Sequence, residues 1–212
     1  MTNGTKVKKR DGRIEPLDLD KMHVMVEAAC EGLAGVSASQ VEMKSGIQFY
    51  DGITTAEIQE ILIRSASDLI DLDHSNYQYV AARLLMYSLR KSVYGKMYEL
   101  PTLEGQVLAA CAQKVYDDSI FNKYSLEEIR SLDSVIDHDR DFLFTYAGLR
   151  QVVDKYLVQD RNNGQVFETP QFMYMMIALT MFAEYPKETR LNYVRRYYDA
   201  ISKHKINIPT PI

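Results

Sequence analysis

The sequence predicts a mainly α-helical protein with two small β-hairpins. Apolar residues recur at three- to four-residue spacing over much of its 212 residues, as they do along one face of a helix. Sequences of the form Ser/Thr-x-x-Glu/Gln, which make capping boxes at helix N-termini, precede several of these segments. The dipeptides Asp11-Gly12 and Asn163-Gly164 each lie between short extended segments and are typical of tight hairpin turns.

The first hairpin and the first helix occupy the opening of the chain. The turn at Asp11-Gly12 predicts two short strands, with Val7 and Ile14 facing inward. An amphipathic helix is predicted to follow, with Asp18 as its N-cap and with glycines at its end. The apolar face of this helix consists of Leu19, Met22, Val26, Ala29 and Leu33.

Three more helices are predicted before residue 95. They cover residues 37–49, 54–69 and 75–95, and a short extended link at Ile53 precedes the second of them. The first two begin with predicted capping boxes, at Ser37 with Gln40 and at Thr54 with Glu57. Four helices and a strand pair suffice for a compact unit, so we predict a first domain over residues 1–95.

The remainder of the chain, residues 96–212, is predicted to form a second, mostly helical domain. Its predicted elements are helices at 144–156, 170–185 and 189–203, a capping box at Ser125 with Glu128, and a hairpin turning at Asn163-Gly164. Residues 206–212 read as the start of a strand with nothing to pair with. We therefore expect the sequence to be a fragment, or its sheet to come from another chain.

Composition narrows the class of protein. The net charge of −4 and pI near 5.6 provide no global positive field, so neither nucleic acid nor a membrane surface is expected as a partner. The apolar segment Phe172–Ala183 is too short to span a bilayer and predicts a buried helix. The opening residues do not resemble a secretory signal, so we expect a cytoplasmic protein.

Metal binding and nucleophilic catalysis find no support in the pattern. The two cysteines, Cys30 and Cys111, are far apart, and the four histidines are scattered. Neither a disulfide framework nor a zinc site is indicated, and free cysteines of this kind are usually small core residues. We predict no metal site and no catalytic residue in this chain.

The basic run Lys6, Lys8, Lys9 and Arg10 admits two interpretations. It forms either a solvated edge strand that resists aggregation or one side of a local anion site. Thr55, near the predicted start of the third helix, has the hydroxyl and amide donors that a phosphate requires.

Other charged residues bear on the same choice. Lys91 adds a cation late in the fourth helix, although it would also complement the helix dipole there without any ligand. Glu15 and Asp18 are acceptors that suit an exocyclic amine or a ribose hydroxyl. The phosphate loop of the GxxxxGK[ST] type is missing from the sequence.

Longer segments resemble a known family. VKKRDGRIEPLDLDK (7–21), IQFYDGITTAEIQEILIRSASDLI (47–70) and YQYVAARLLMYSLRKSVYG (77–95) resemble the ATP-cone, the regulatory nucleotide-binding module of class I ribonucleotide reductase large subunits. VIDHDRDFLFTYAGLRQVVDKYLVQDRNNGQVFETPQFMYM (135–175) and YPKETRLNYVRRYYDAISKHKINIPTPI (185–212) resemble the helical region of that subunit. The resemblance implies a four-helix bundle capped by a small β-sheet, followed by helices that lead into a ten-stranded α/β barrel.

The resemblance also implies an effector site for ATP or dATP, with magnesium accompanying the triphosphate. The positions that match effector contacts are Lys9, Arg10, Glu15, Pro16, Leu17, Asp18, Leu19, Asp20, Lys21, Thr55, Gln59 and Lys91. Among them, Lys9, Arg10, Thr55 and Lys91 match phosphate contacts, and residues 15–21 match the turn around the adenosine. Thr210 matches a substrate contact near the diphosphate.

The enzyme of this family reduces ribonucleoside diphosphates to deoxyribonucleotides for DNA replication, through a thiyl radical and reducing cysteines. Cys30 and Cys111 match none of those cysteines, so this chain alone is expected to be inactive. The implied partners are the remainder of the large subunit with its barrel, the radical-bearing small subunit, and further large subunits in a homo-oligomer.

Two positions depart from the bacterial pattern: Gln59 and Ser88 stand where that pattern has histidines linked to the dATP response. Their loss is expected to weaken discrimination between ATP and dATP. Two other functions stay open at this point, a stand-alone nucleotide-sensing regulator and a helical interaction module. The first of these alternatives is disfavoured, because the related repressor carries a CxxC zinc ribbon that this sequence lacks.

Overall fold

The computed structural model describes residues 4–206, which are mainly helical with two small sheets, as predicted. The chain divides into two units. The first contains the residues up to Leu89 together with Phe144–Arg150, and the second contains Arg90–Leu143 and the residues from Gln151 onward.

A three-stranded sheet lies in the first unit, with the strand order β2-β1-β3. The strands are β1 (Lys6–Lys8), β2 (Ile14–Pro16) and β3 (Ile53–Thr54). Strands β1 and β2 form the predicted antiparallel hairpin, and Gly12 at its turn has a φ of +87°, which favours glycine. Strand β3, which pairs in parallel with β1, was expected only as an extended link.

The prediction that Ile14 faces inward is wrong. Val7 is 2% exposed, but Ile14 is 67% exposed. The register pairs Val7 with Glu15 and Lys8 with Ile14. Because successive residues of a strand point to opposite faces, Ile14 lies on the solvent face with Lys8.

Four helices belong to the first unit, and the last of them continues into the second. They are α1 (Leu19–Cys30), α2 (Ala38–Gly46), α3 (Thr55–Ser67) and α4 (Tyr77–Tyr94). Asp18 caps α1 as predicted, since its side chain accepts a hydrogen bond from the Lys21 amide. The predicted capping box of Thr54 and Glu57 is also confirmed at the start of α3.

The predicted capping box at the start of α2 is wrong. The Ser37 side chain makes no capping hydrogen bond, although Ser37 is the N-cap residue. Gln40 instead accepts a hydrogen bond from the buried Tyr77 hydroxyl at 2.6 Å, and the Ser37 amide donates to the same hydroxyl at 3.0 Å. A tertiary contact with α4 therefore replaces the local cap.

The second unit is built from shorter helices around one long pair. The elements from residue 96 onward are α5 (Leu103–Ala112), α6 (Ile120–Lys123), α7 (Leu126–Ser131), 3₁₀ turns at Asp133–Val135 and His138–Leu143, α8 (Tyr146–Gln151), a π-helical turn at Val152–Tyr156, β4 (Gln159–Asp160), β5 (Gln165–Val166), α9 (Pro170–Met181) and α10 (Lys187–Ser202). Of these, α8 lies almost wholly in the first unit. The capping box of Ser125 and Glu128 and the hairpin at Asn163-Gly164 are confirmed.

Helices α9 and α10 form the core of the second unit. Phe172, Leu179, Val194 and Tyr198 are fully buried along them, and the predicted buried helix corresponds to α9. Within residues 4–206, no helix combines the length and the apolarity needed to cross a membrane. The terminal strand predicted after Ile206, and Thr210 with it, lie outside the described residues.

Candidate functional site

The sheet of the first unit aligns residues that are distant in sequence. Strands β1 and β3 run in parallel, with Val7 opposite Ile53 and Lys8 opposite Thr54. The residues that follow each strand therefore leave the sheet at the same edge, where Lys9 enters the β1–β2 turn and Thr55 begins α3. Thus two predicted phosphate contacts, separated by more than forty residues, each follow the carboxyl end of one of these neighbouring strands.

The first turn of α3 is held by its capping box. The Thr54 hydroxyl accepts a hydrogen bond from the Glu57 amide at 3.1 Å, and the Glu57 carboxylate accepts one from the Thr54 amide at 2.8 Å. Hydrogen bonds from Thr54 and from the Tyr50 hydroxyl hold the pKa of Glu57 below its usual value. The resulting negative charge in the first turn offsets part of the helix dipole, so α3 alone is a weak anion site.

Two cations of the hairpin, Lys9 and Arg13, already have carboxylate partners. The Lys9 ammonium lies 3.3 Å from Glu15, and the Arg13 guanidinium lies 2.7 Å from Asp11 and 3.0 Å from Glu15. Such exposed pairs contribute little stability and rearrange readily. Lys9 is therefore available to a ligand only in competition with Glu15.

Arg10 differs from Lys9 and Arg13 because its partner is a neutral amide. Across residues 4–206 it pairs with no carboxylate, and its Nη2 donates a hydrogen bond to Oε1 of Gln59 at 3.1 Å. Arg10 is exposed as a residue, but its guanidinium packs against the buried Gln59, and this partial burial lowers the pKa of the guanidinium. An arginine remains charged despite such a shift, so Arg10 presents an uncompensated positive charge.

Gln59 joins three elements at this point. It is 7% exposed on α3, one helical turn after Thr55 and on the same face. Its Oε1 accepts a second hydrogen bond, at 3.3 Å, from the hydroxyl of Ser88 on α4. Ser88 was predicted only as a departure from the family pattern, and no local signal in the sequence indicated its contact with Gln59.

Residues 15–21, the other predicted effector residues before Thr55, make the turn from the end of β2 into the start of α1, and only Leu17 and Asp18 lie between the two elements. Asp18 pairs with Lys21 at 3.0 Å, and hydrogen bonds from the Lys21 backbone and side chain lower the pKa of the Asp18 carboxyl. The Leu17 amide donates to the Thr5 carbonyl at 2.9 Å, which fixes the chain as it leaves the sheet. Five residues of this turn are exposed: Pro16, Asp18, Leu19, Asp20 and Lys21.

Lys91 lies in the last turn of α4, which is assigned to the second unit. It follows Ser88 by three residues, so the two share one face of the helix. The predicted phosphate role of Lys91 stays a prediction.

A cavity of about 850 Å³ lies in the second unit. Its wall includes Met173, Met176 and Ile177, together with the buried Glu168. Burial raises the pKa of the Glu168 carboxyl, which accepts a hydrogen bond from the Val158 amide at 2.8 Å. Lys123 and Lys155 also line the cavity, and Lys123 is paired with Glu184. The apolar wall and the buried acid do not suit a triphosphate.

Neither cysteine is suited to act as a nucleophile. Burial raises the pKa of the Cys30 thiol to about 11 and also raises that of Cys111, so both stay protonated at neutral pH. The part of the chain that the structure describes contains no group of three His, Cys, Asp or Glu side chains that could hold a metal ion.

Comparison with protein families matches both parts of the chain. Residues 5–92 match a family described as the ATP cone domain. Residues 142–212 match a family described as ribonucleotide reductase, all-alpha domain.

Individual relatives match almost the whole chain. It is 48% identical over all 212 residues to ribonucleoside-diphosphate reductase 1 subunit alpha of Escherichia coli (strain K12), and 47% identical over the same length to the subunit alpha of Haemophilus influenzae. The corresponding subunit of Enterobacteria phage T4 is 41% identical over 206 residues, or 96% of the chain. The chain spans 27 to 28% of the length of these relatives.

Proposed function

We propose a nucleotide-sensing function for this chain, which belongs to the ribonucleoside-diphosphate reductase alpha-subunit family. Its residues 5–92 bind ATP or dATP as an allosteric effector, and bound effector sets the activity of the reductase. The match of residues 5–92 to the ATP cone domain supports the class of ligand.

One observation carries the proposal. In the turn that follows β1, the Arg10 guanidinium donates to Oε1 of Gln59 on α3 and has no carboxylate partner within the described residues, so its positive charge stays uncompensated. Charge-assisted hydrogen bonds from arginine are among the strongest that a phosphate can receive. The alternative of a solvated edge strand does not fit, because β1 is the central strand of its sheet and Arg10 lies in the turn that follows it.

The proposed roles follow residue types. Lys9, Arg10, Thr55 and Lys91 contact the triphosphate, which brings magnesium with it. The exposed turn from Glu15 to Lys21 surrounds the adenosine. Release of Lys9 would free Oε2 of Glu15 while Oε1 stays with Arg13. Release of the Lys21 ammonium would free Oδ2 of Asp18 while Oδ1 still caps α1, so one oxygen of each carboxylate could accept a hydrogen bond from the nucleoside.

The wider function is also a proposal. The complete large subunit reduces ribonucleoside diphosphates together with a radical-bearing small subunit, and this chain supplies regulation in the cytoplasm rather than catalytic groups. The effector acts by binding one assembly of large and small subunits more tightly than another. Because the histidines of the bacterial pattern are replaced by Gln59 and Ser88, dATP inhibits the complete enzyme only weakly.

Titration of the 212-residue chain with ATP by calorimetry tests the proposal. We expect saturable binding, and a loss of about 10- to 150-fold in affinity for Arg10→Ala, since a hydrogen bond to a charged group contributes roughly 1.5–3 kcal/mol. Lys9→Ala and Lys91→Ala are expected to weaken binding less, because an ammonium is a point charge without the paired donors of a guanidinium.

Arg13→Ala is the matched control. It removes a cation from the same hairpin, but one already paired with Asp11 and Glu15, so its ATP affinity should stay within about twofold of the parent chain. Absence of saturable binding by the parent chain would overturn the proposal, and so would an equal loss in the Arg10 and Arg13 variants.

A further inference from the structure

Gln59 and Ser88 surround Arg10 without adding any charge. The guanidinium donates to Oε1 of Gln59 at 3.1 Å, and the Ser88 hydroxyl donates to the same oxygen at 3.3 Å. An amide oxygen has two lone pairs, so these two donors satisfy it completely. Because both neighbours donate, the oxygen of the amide, and not its nitrogen, is fixed toward Arg10.

The chemistry of this support matters for a ligand-binding arginine. A carboxylate at the same position would also orient the guanidinium, but it would form an ion pair and cancel the charge that attracts phosphate. Arg13, which lies between Asp11 and Glu15, shows that outcome on the same hairpin. An amide oxygen orients the guanidinium through one hydrogen bond and leaves its charge intact.

The three residues come from three elements of the first unit: the β1–β2 turn, α3 and α4. Gln59 is fixed because it is only 7% exposed and because α3 is packed through Ile58, Leu62 and Ile63, all of which are buried. The hydrogen bond from Ser88 then removes the remaining rotational freedom of the amide. Gln59 and Ser88, held on two packed helices, thus restrict the conformation of the Arg10 side chain on an exposed turn.

We propose that Gln59 and Ser88 form a charge-neutral support that positions Arg10 for the effector phosphate. Gln59 then acts through Arg10, as a positioning residue, and its contribution to effector affinity disappears when Arg10 is absent. This inference rests on the proposed nucleotide-binding function and specifies how that site is held ready.

A double-mutant cycle between Arg10→Ala and Gln59→Met tests the inference. Methionine has nearly the shape of glutamine without its oxygen, so the buried position tolerates it and the melting temperature should not fall. Gln59→Met alone should weaken ATP binding about two- to tenfold, as expected for one hydrogen bond of roughly 0.5–1.5 kcal/mol. In the Arg10→Ala background the same change should alter affinity less than twofold.

Ser88→Ala should weaken ATP binding by a smaller factor, and only while both Gln59 and Arg10 are present. A loss of affinity that persists in the Arg10→Ala background would overturn the inference, because Gln59 would then act on the nucleotide directly or through global damage. Unchanged affinity in Gln59→Met would overturn it as well.

A measurement without nucleotide separates this inference from the proposed function. The side-chain Nε–Hε group of Arg10, observed by NMR in the 212-residue chain, should be ordered in the parent and in Arg13→Ala, and mobile in Gln59→Met. If ATP does not bind but Arg10 is ordered by Gln59, the proposed function fails and the positioning holds. If ATP binds and Arg10 is equally mobile in both proteins, the positioning fails alone.

Discussion

Two arginines, one in each unit, are held in opposite ways. Arg10 in the first unit is exposed, pairs with no carboxylate in the described part of the chain, and is oriented by the neutral Gln59. Arg90 in the second unit is 3% exposed, and its Nη2 donates to Asp141 at 2.8 Å and to the His138 carbonyl at 2.6 Å. The first arginine keeps its charge available, whereas the second has its charge fully matched.

The partners of Arg90 continue into a buried network. The second carboxylate oxygen of Asp141 accepts a hydrogen bond from Gln171 at 3.1 Å, and Gln171 accepts one from the Tyr198 hydroxyl at 2.7 Å. Burial raises the pKa of the Asp141 carboxyl, and the Arg90 guanidinium opposes part of that rise. Each side chain of this network is hydrogen-bonded to another member, and the Arg90 charge is paired with Asp141. The network therefore offers no unpaired charge to a ligand.

The comparison separates cations that stabilise a fold from cations that bind a ligand. A buried ion pair must be matched, because an unpaired buried charge is far more costly than an exposed one. An exposed arginine can remain unmatched, and it becomes useful for binding when neutral contacts fix its direction.

Asp141→Asn should have the largest effect on stability. It leaves the Arg90 charge buried without a counter-charge, which costs about 3–5 kcal/mol in such sites. Arg10→Ala in the first unit should change stability by less than about 1 kcal/mol, because it breaks one partly exposed hydrogen bond. Urea unfolding followed by circular dichroism measures both.

The double variant Arg90→Met with Asp141→Leu is the control for the buried pair. Replacing both charges with apolar groups of similar volume removes the need for compensation, so the double variant should be more stable than Asp141→Asn. If Asp141→Asn unfolds no more easily than Arg10→Ala, the distinction between the two arginines is wrong.

The local parts of this fold could be predicted from the sequence, and the long-range parts could not. The Asp11-Gly12 turn and the capping boxes at Thr54 and Ser125 depend on residues within a few positions of each other, and all three are confirmed. The capping box predicted at Ser37 is absent because Gln40 accepts a hydrogen bond from Tyr77 on α4, a residue forty positions after Ser37. Strand β3 was missed because two residues carry no periodic pattern.

The site shows the same limit. Residue types and family resemblance named the cations and Gln59, but the sequence could not show which cations are neutralised. That distinction depends on pairs such as Arg10 with Gln59, which are 49 residues apart. The contact of Ser88 with Gln59 joins two helices and likewise required the folded structure.

The capping boxes of the two units provide a second, smaller test. Glu57 and Glu128 both close a capping box, but Glu128 also pairs with the buried Arg190 at 2.7 Å, whereas Glu57 accepts a hydrogen bond from the neutral Tyr50. A glutamine preserves a capping box, so Glu→Gln at each position removes only the charge.

Glu128→Gln should therefore cost about 1.5–3 kcal/mol, the range for hydrogen bonds to charged groups, and Glu57→Gln less than about 0.5 kcal/mol. Urea unfolding of the two variants measures the difference. An equal loss in the free energy of unfolding for both variants would mean that the ion pair of Arg190 with Glu128 does not stabilise the fold.

His23 in the first unit and His138 in the second should have the smallest effects on stability at neutral pH. Their contributions to stability depend on pH in opposite directions. His23 lies 2.8 Å from Glu42 and 3.2 Å from Glu27, and these carboxylates raise its pKa. Its protonated form stabilises the first unit below the unfolded pKa of about 6.5, and this contribution is lost as pH rises through the higher folded pKa.

His138 has the opposite dependence. Burial, with a contribution from Arg90, lowers its pKa to about 4, so its neutral form is the folded one. The stability it contributes is complete above pH 6.5, where the unfolded histidine is also neutral, and is lost as pH falls from about 6.5 to about 4. NMR titration of the Cε1–Hε1 groups should therefore give a midpoint above 6.5 for His23 and below 6.5 for His138. Glu42→Gln should move only the His23 midpoint downward, and a His138 midpoint near 6.5 would contradict the burial that separates the two.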